Sequence, residues 1–260
     1  TRLALAQASS QPTMVALAQP PGEPGQQKTF QLAEDLNISA GYKLWFTDWK
    51  TWDIRAGLVV EDEDSALAHI PTIGLRYKDF FVSASGLFAP GYNWSGLGGR
   101  GFGGLAGSRK EGDFNVGYYI HPWIGVSVGY KGVFQEFGQG GNSVKLNYNG
   151  VTSGVSVNVP IPEGGILPSG FNVYGTGAGG YMWVSSKNFA VDLSNHAFYG
   201  NLEGGIAYRP GQLPLVLTAG YRYQLLRTMF KSNVTDLTVG RKDDALDTLR
   251  GVILGVNLVF

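Results

Sequence analysis

Thr248-Leu-Arg-Gly-Val-Ile-Leu-Gly-Val-Asn-Leu-Val-Phe260 closes the sequence and decides how the rest of it is read. Val252, Leu254, Val256, Leu258 and Phe260 share one parity, while Gly251, Gly255 and Asn257 fall on the other. Successive side chains of a strand point to opposite faces, so this pattern predicts a strand with one apolar side. Its length suits a crossing of a bilayer at a tilt of about 45°.

The same alternation recurs upstream. Leu36, Ile38, Ala40, Tyr42, Leu44 and Phe46 face one way, opposite Asn37, Ser39, Gly41 and Lys43. Further alternating stretches fall near residues 67–77, 80–88, 113–120, 123–134, 151–159, 171–183, 197–208 and 213–226. With the terminal strand this predicts about ten strands, with eight and twelve as the neighbouring even counts. Tight turns rich in Pro, Gly and Asp fall near residues 78–79, 121–122, 160–170 and 209–214. Longer polar segments lie between them, at about 51–66, 91–112, 138–147, 185–195 and 231–244. Such alternation of short turns and long loops predicts an all-β, transmembrane, antiparallel up-and-down β-barrel over residues 35–260.

Composition narrows the class. Gly 39 among 260 residues favours close strand approach and sharp curvature in a β-rich chain. Cys 0 excludes a disulfide scaffold and a thiolate metal site. A formal net charge of +0 without a basic run argues against nucleic acid as a partner. No apolar run approaches the roughly 18 residues that mark a transmembrane helix. Residues 1–34 are Gln- and Pro-rich and aperiodic, and Pro20-Pro-Gly-Glu-Pro24 should be extended or turn-like. They read as a separate mature segment, with docking at the periplasmic mouth or on another protein favoured by the apolar Leu3, Leu5, Met14, Val15 and Leu17.

The terminal Phe260 and the alternate apolar positions before it resemble the assembly signal of Gram-negative outer-membrane β-barrels. Leu258 departs from the aromatic often found two residues from the end of that signal. The resemblance implies residence in the bacterial outer membrane with both termini periplasmic. It also implies contact with membrane lipid, lipopolysaccharide and the outer-membrane assembly machinery. Two aromatic girdles follow, one of Tyr77, Phe80, Tyr118, Trp123, Phe171, Tyr208 and Phe260 at the turn ends. The other comprises Phe46, Trp49, Phe88, Trp94, Phe134, Trp183 and Phe198 towards the loops.

The inward parity offers Lys43, Arg76, Asp113, Lys131, Glu203 and Arg222 as lumen charges. Asp113 and Lys131 lie at similar distances from the Ile120–Trp123 bend and should face each other; Glu203 and Arg222 are diagonal candidates. The plain reading is charged pairs filling a narrow interior, and the functional one is an ion or small-solute path, mildly anion-favouring. The acidic run Glu61, Asp62, Glu63 and Asp64 reads first as a solvated loop and second as a cation-binding loop. The glycine-rich stretch 96–107 lacks the strand–turn–helix setting of a nucleotide site.

An enzyme needs a nucleophile or water with a base in reach. Only His69, His121 and His196 exist, and parity sends His69 and His196 towards lipid. Asp192, Asp243, Asp244 and Asp247 near His196 could imitate the rim set of outer-membrane proteases, without a residue-by-residue motif. No cofactor or metal site is expected. The sequence thus favours a structural or partner-binding envelope barrel with a narrow or plugged lumen. A small-solute channel and an outer-leaflet protease or lipid-modifying enzyme are the alternatives.

Overall fold

The computed structural model describes residues 35–55, 58–94, 105–139, 142–162, 169–187, 193–211, 213–230 and 244–260. Ten strands follow in chain order: β1 Leu36–Arg55, β2 Leu58–Tyr77, β3 Phe80–Trp94, β4 Leu105–His121 and β5 Ile124–Gln139, then β6 Asn142–Pro160, β7 Phe171–Lys187, β8 Leu193–Tyr208, β9 Leu215–Phe230 and β10 Asp244–Val259. Each pairs antiparallel with its chain neighbours, and β10 pairs with β1 to close the barrel. The terminal strand therefore forms the seam. Ile38 donates its N–H to Phe260 O at 3.0 Å, and Phe260 donates back to Ile38 O at 2.8 Å.

Register fixes the barrel's dimensions. Following paired residues from Ser39 through Gly74, Ser83, Asn115 and Gly129, then Thr152, Gly180, Tyr199, Leu226 and Asp247, returns to β1 at Thr51. The trace gains twelve residues in one circuit of ten strands. With strands about 4.8 Å apart and a rise of about 3.4 Å per residue, that stagger gives a tilt of roughly 40° and a backbone diameter of about 20 Å.

Alternation decides what faces each side of this wall. Leu67, Ile73, Leu75 and Tyr77 on β2 are exposed, whereas Ala68, Ile70 and Thr72 are buried. From Tyr77 to Leu67 the strand climbs about 26 Å along the axis at that tilt, the height of an apolar membrane band. Tyr77, Phe80, Tyr118, Trp123 and Phe260 project outward at the turn end. Phe80 packs edge-on to Tyr118 at 4.9 Å, and Phe171 stacks on Tyr208 at 4.4 Å. Phe46, Phe88, Phe134, Trp183 and Phe198 project outward towards the loop end.

Three expectations are corrected. Segments expected as long loops are largely strand: β1 and β2 leave only residues 56–57 between them, and β5 and β6 only 140–141. These hairpins continue past the apolar band, where no lipid enforces a greasy outer parity. Trp49 is not a girdle residue; it shares the inward parity of Lys43 and is fully buried.

The acidic run is the third correction. Glu61, Asp62, Glu63 and Asp64 are consecutive residues of β2 rather than a loop, in register with Trp52, Thr51, Lys50 and Trp49 of β1. An extended strand sends neighbouring side chains to opposite faces, which separates Glu63 from Asp64. Glu63 and Asp64 accordingly diverge. Glu63 bonds Arg250 at 2.9 Å, while Asp64 Oδ2 accepts the Asn93 N–H at 2.6 Å. The side chains of Glu61, Asp62 and Trp94, together with residues 1–34 and the glycine-rich positions 96–104, lie outside the described residues.

Candidate functional site

The lumen is where chemistry-bearing side chains converge. Among the described residues the buried charged groups are Lys43, Arg109, Lys131 and Arg222 against Glu111, Asp113, Glu203 and Asp247. Asp113 and Lys131 are direct register partners on β4 and β5, and the ammonium reaches Asp113 Oδ1 at 2.9 Å. Lys131 Nζ also lies 2.5 Å from Glu111 Oε2, and Arg109 Nε donates to Glu111 Oε1 at 2.6 Å. Arg109, Glu111 and Asp113 alternate along one strand, so all three point inward.

Glu203 and Arg222 are directly opposite in register rather than diagonal, yet their side chains take different partners. Glu203 Oε1 accepts from Lys43 Nζ at 2.7 Å, which joins β8 to β1 through the lumen. Arg222 donates from Nε to Asn201 Oδ1 at 2.8 Å and from Nη2 to Gln224 Oε1 at 3.1 Å. Arg76 is set apart at the turn end, where it is half-buried, bonds Lys78 O at 2.7 Å and covers the Tyr119 ring.

Two bonds cross the whole bore. Gln224 Nε2 on β9 donates to Glu111 Oε1 on β4 at 2.6 Å. Gln135 Nε2 on β5 donates to Asp247 Oδ2 on β10 at 3.2 Å. In the closed order, β4 and β9 have four strands between them either way, as do β5 and β10. Both contacts therefore run along diameters, and side chains from opposite walls meet at the axis.

Aromatic and aliphatic groups fill the lumen above the charged layer. Trp45, Trp49, Tyr92 and Leu249 form one buried cluster; Tyr148, Met182, Tyr199 and Leu226 belong to a second. Tyr92 reaches the interior through an irregularity in β3 between Ala89 and Tyr92. Pro90 cannot donate to the ladder and Gly91 takes φ 86°, so the strand bulges and the side-chain parity flips. Tyr92 then packs edge-on to Trp49 at 4.9 Å. The rings also shelter cations: Arg222 lies 4.8 Å from the Trp45 ring and Lys131 4.7 Å from that of Tyr199.

Sequence reasoning passed over Arg109, Glu111, Gln135, Gln224 and Trp45. The available signal was parity: counting back from Asp113 through the segment taken as a loop gives Glu111 and Arg109. With Asp247 also inside and Arg76 only half-buried at the mouth, the buried charges among the described residues are four of each sign.

Among the described residues the histidines bond tyrosines and backbone rather than carboxylates. His69 Nδ1 meets Tyr42 OH at 2.6 Å and His196 Nδ1 meets Tyr181 OH at 2.6 Å, both on the outer face. Asp247 is inside, bonded to Trp49 Nε1 at 3.4 Å. His121 caps its turn by accepting the Trp123 N–H at 3.3 Å. Asp192 and Asp243 lie outside the described residues, as does the side chain of Asp244. Among the described residues no three His, Asp or Glu side chains gather as metal ligands.

Neither a family model nor a curated protein matches the chain. Solved structures similar to it include the translocator domain of autotransporter NalP from Neisseria meningitidis, at 12% identity and a TM-score of 0.42, covering 88% of this chain and 90% of that one. The P. putida toluene transporter TodX is similar at 8% identity and a TM-score of 0.35, covering 87% and 90%. A Pseudomonas aeruginosa FadL homologue stands at 8% and 0.34, with coverage of 87% and 90%. At these identities the likeness is one of barrel form alone. The closed strand order and the apolar outer wall make the fold plain. The chain is an antiparallel up-and-down β-barrel of ten strands with an apolar outer face.

Proposed function

We propose that this barrel resides in a bacterial outer membrane with its turns and both termini periplasmic. Its role there is structural or partner-binding rather than conductive. The observation that carries this reading is the pair of hydrogen bonds along two diameters, Gln224–Glu111 and Gln135–Asp247. A conducting lumen keeps a hydrated path, whereas here opposite walls touch and the buried charges are balanced. The full-length protein in planar bilayers should therefore give no steady current. Gln135→Ala combined with Gln224→Ala, which removes both crossing bonds without altering charge, should give small, flickering openings. Large, long-lived conductance from the unaltered protein would overturn the proposal and favour a solute channel.

Lipid and lipopolysaccharide would contact the outer wall, and the assembly machinery would read the seam strand. Val252, Leu254, Val256, Leu258 and Phe260 all project outward from β10, and Phe260 makes both backbone bonds to Ile38. Deleting Phe260 removes those bonds and a girdle ring. Folded, heat-modifiable protein in the outer-membrane fraction should fall about tenfold, whereas deleting Thr1 should leave its yield unchanged. Equal yields from the two deletions would remove Phe260 from assembly.

A further inference from the structure

The outer wall of β5, β6 and β7 changes character where these strands pass the loop-end girdle. Phe134 on β5 and Trp183 on β7 project outward at that level. Trp183 lies opposite Asn149 of β6 in register, and the next outward pair is Asn147 with Ser185. The pair beyond that is Lys145 with Lys187, both exposed. At a tilt of roughly 40° each such step rises about 5 Å, so the amides and the hydroxyl stand in the headgroup layer. The lysine side chains are long enough to reach down into it.

Like charges directly opposite on two strands are unfavourable, and an anion between them relieves the repulsion. Glu136 reaches Lys145 at 3.1 Å, whereas Lys187 has no carboxylate partner among the described residues. On the opposite wall the outward Arg250 is paired with Glu63 at 2.9 Å. Lys110 of β4 is exposed and in register with Phe134, which brings a further cation to the same arc of rim. Lys110, Lys145 and Lys187 against Glu136 alone make this arc complementary to phosphate.

A groove continues from this patch down the lipid-facing wall. Gly175, Gly177 and Gly179 take the outward positions of β7 between Val173 and Tyr181. A Cβ on Gly175 would meet nothing within 4 Å, and one on Gly179 only Tyr199 O at 3.8 Å. The exposed Val155 and Val157 of β6 flank this bare backbone on one side, and the exposed Leu202 of β8 on the other. Tyr181, above the groove, leans towards β8, where its hydroxyl meets His196 Nδ1 at 2.6 Å. We propose that patch and groove together hold one phosphorylated glycolipid of the outer leaflet. Its phosphate lies between Lys145 and Lys187, and an acyl chain follows the glycine groove. Asn147, Asn149 and Ser185 meet the sugar, since amides and hydroxyls both donate and accept as sugar hydroxyls require. The inference rests on the orientation proposed above, which puts this rim in the outer leaflet.

The full chain in detergent micelles is titrated with lipid A, a phosphorylated and acylated glucosamine disaccharide, and bound lipid is counted by native mass spectrometry. One lipid A should bind, and Lys145→Gln with Lys187→Gln should weaken it about tenfold. Lys50→Gln with Arg250→Gln removes two outward cations from the opposite wall and should leave binding unchanged. Gly175→Val with Gly179→Val fills the groove and should also cost about tenfold. Phosphatidylglycerol, which brings phosphate and acyl chains without a sugar, should bind the parent about tenfold more weakly than lipid A. Equal losses from the two cation pairs would mean diffuse charge attraction and overturn the proposal, as would equal binding of the two lipids. If the glycine variant fails to fold, Ser185→Cys carrying a benzophenone maleimide replaces it, since the chain has Cys 0. Lipid A should photo-crosslink there and not to Ser65→Cys on the opposite wall; equal adducts, or none, overturn the proposal. None of these readouts depends on orientation. If lipid A binds as stated while an impermeant maleimide fails to reach Ser185→Cys on intact cells, the orientation is wrong and the site's chemistry stands.

Discussion

Lys131→Met should lower the stability of the barrel by about 3–5 kcal/mol, the usual consequence of removing one member of a buried ionic cluster. The Lys131 ammonium lies 2.5 Å from Glu111 and 2.9 Å from Asp113, and these side chains are almost wholly buried. Methionine preserves most of the volume, so the loss measures charge rather than a cavity. Arg109 still holds Glu111 at 2.6 Å, which leaves Asp113 as the carboxylate without its cation. Adding Asp113→Asn to Lys131→Met should therefore recover most of the loss. Arg250→Met supplies the contrast, because the exposed Arg250–Glu63 pair is screened by solvent and its loss should shift stability far less. Urea unfolding in detergent micelles, followed by gel mobility and tryptophan emission, measures all three. A Lys131→Met protein as stable as the parent would show that the cluster does not hold the lumen together.

How much was legible follows from where lipid imposes a pattern. Along β10 the outward positions within the apolar band are apolar, so Val252 to Phe260 declare both strand and face. Beyond the apolar band that constraint lapses, and residues 51–66, with the acidic run from Glu61 through Asp62 to Asp64, looked like a loop although their backbone continues the β1–β2 hairpin. The same lapse concealed Arg109 and Glu111, whose segment is polar on both parities. Trp49 illustrates a different limit. Its aromatic character suggests an interface, while its parity with Lys43 places it inside, and the geometry follows parity. The crossing bonds were not legible at all, because Gln135 with Asp247 and Gln224 with Glu111 depend on shear and closure, which no local pattern encodes. Tyr92 was concealed by the bulge at Pro90-Gly91, which reverses the parity that a regular strand would have kept.

Gly251→Ala should impair barrel closure, while Gly112→Ala should be tolerated. Both glycines lie in strands, so propensity alone would treat them alike. Their surroundings differ. A Cβ on Gly251 would lie 1.8 Å from the Phe46 carbonyl oxygen, and its φ of +154° is a conformation that L residues rarely adopt. The obstructing atom is backbone, so no rotamer change relieves it, and the clash falls on the seam at the Thr47–Gly251 register pair. At Gly112 an added Cβ meets nothing within 4 Å. Overpacking against fixed backbone predicts a loss of about 3 kcal/mol for Gly251→Ala, read from urea unfolding and from the yield of heat-modifiable protein. The effect should extend into the lumen. Trp45 Nε1 donates to Gly251 O at 3.3 Å, and the same ring lies 4.8 Å from the Arg222 guanidinium. Displacing the seam backbone shifts the ring against which Arg222 rests, and Arg222 in turn holds Gln224 at 3.1 Å. Gly251→Ala protein that does fold should therefore leak small ions in planar bilayers, unlike the parent. Tight, fully stable barrels from Gly251→Ala would show that the seam tolerates a methyl group and that closure does not depend on this glycine.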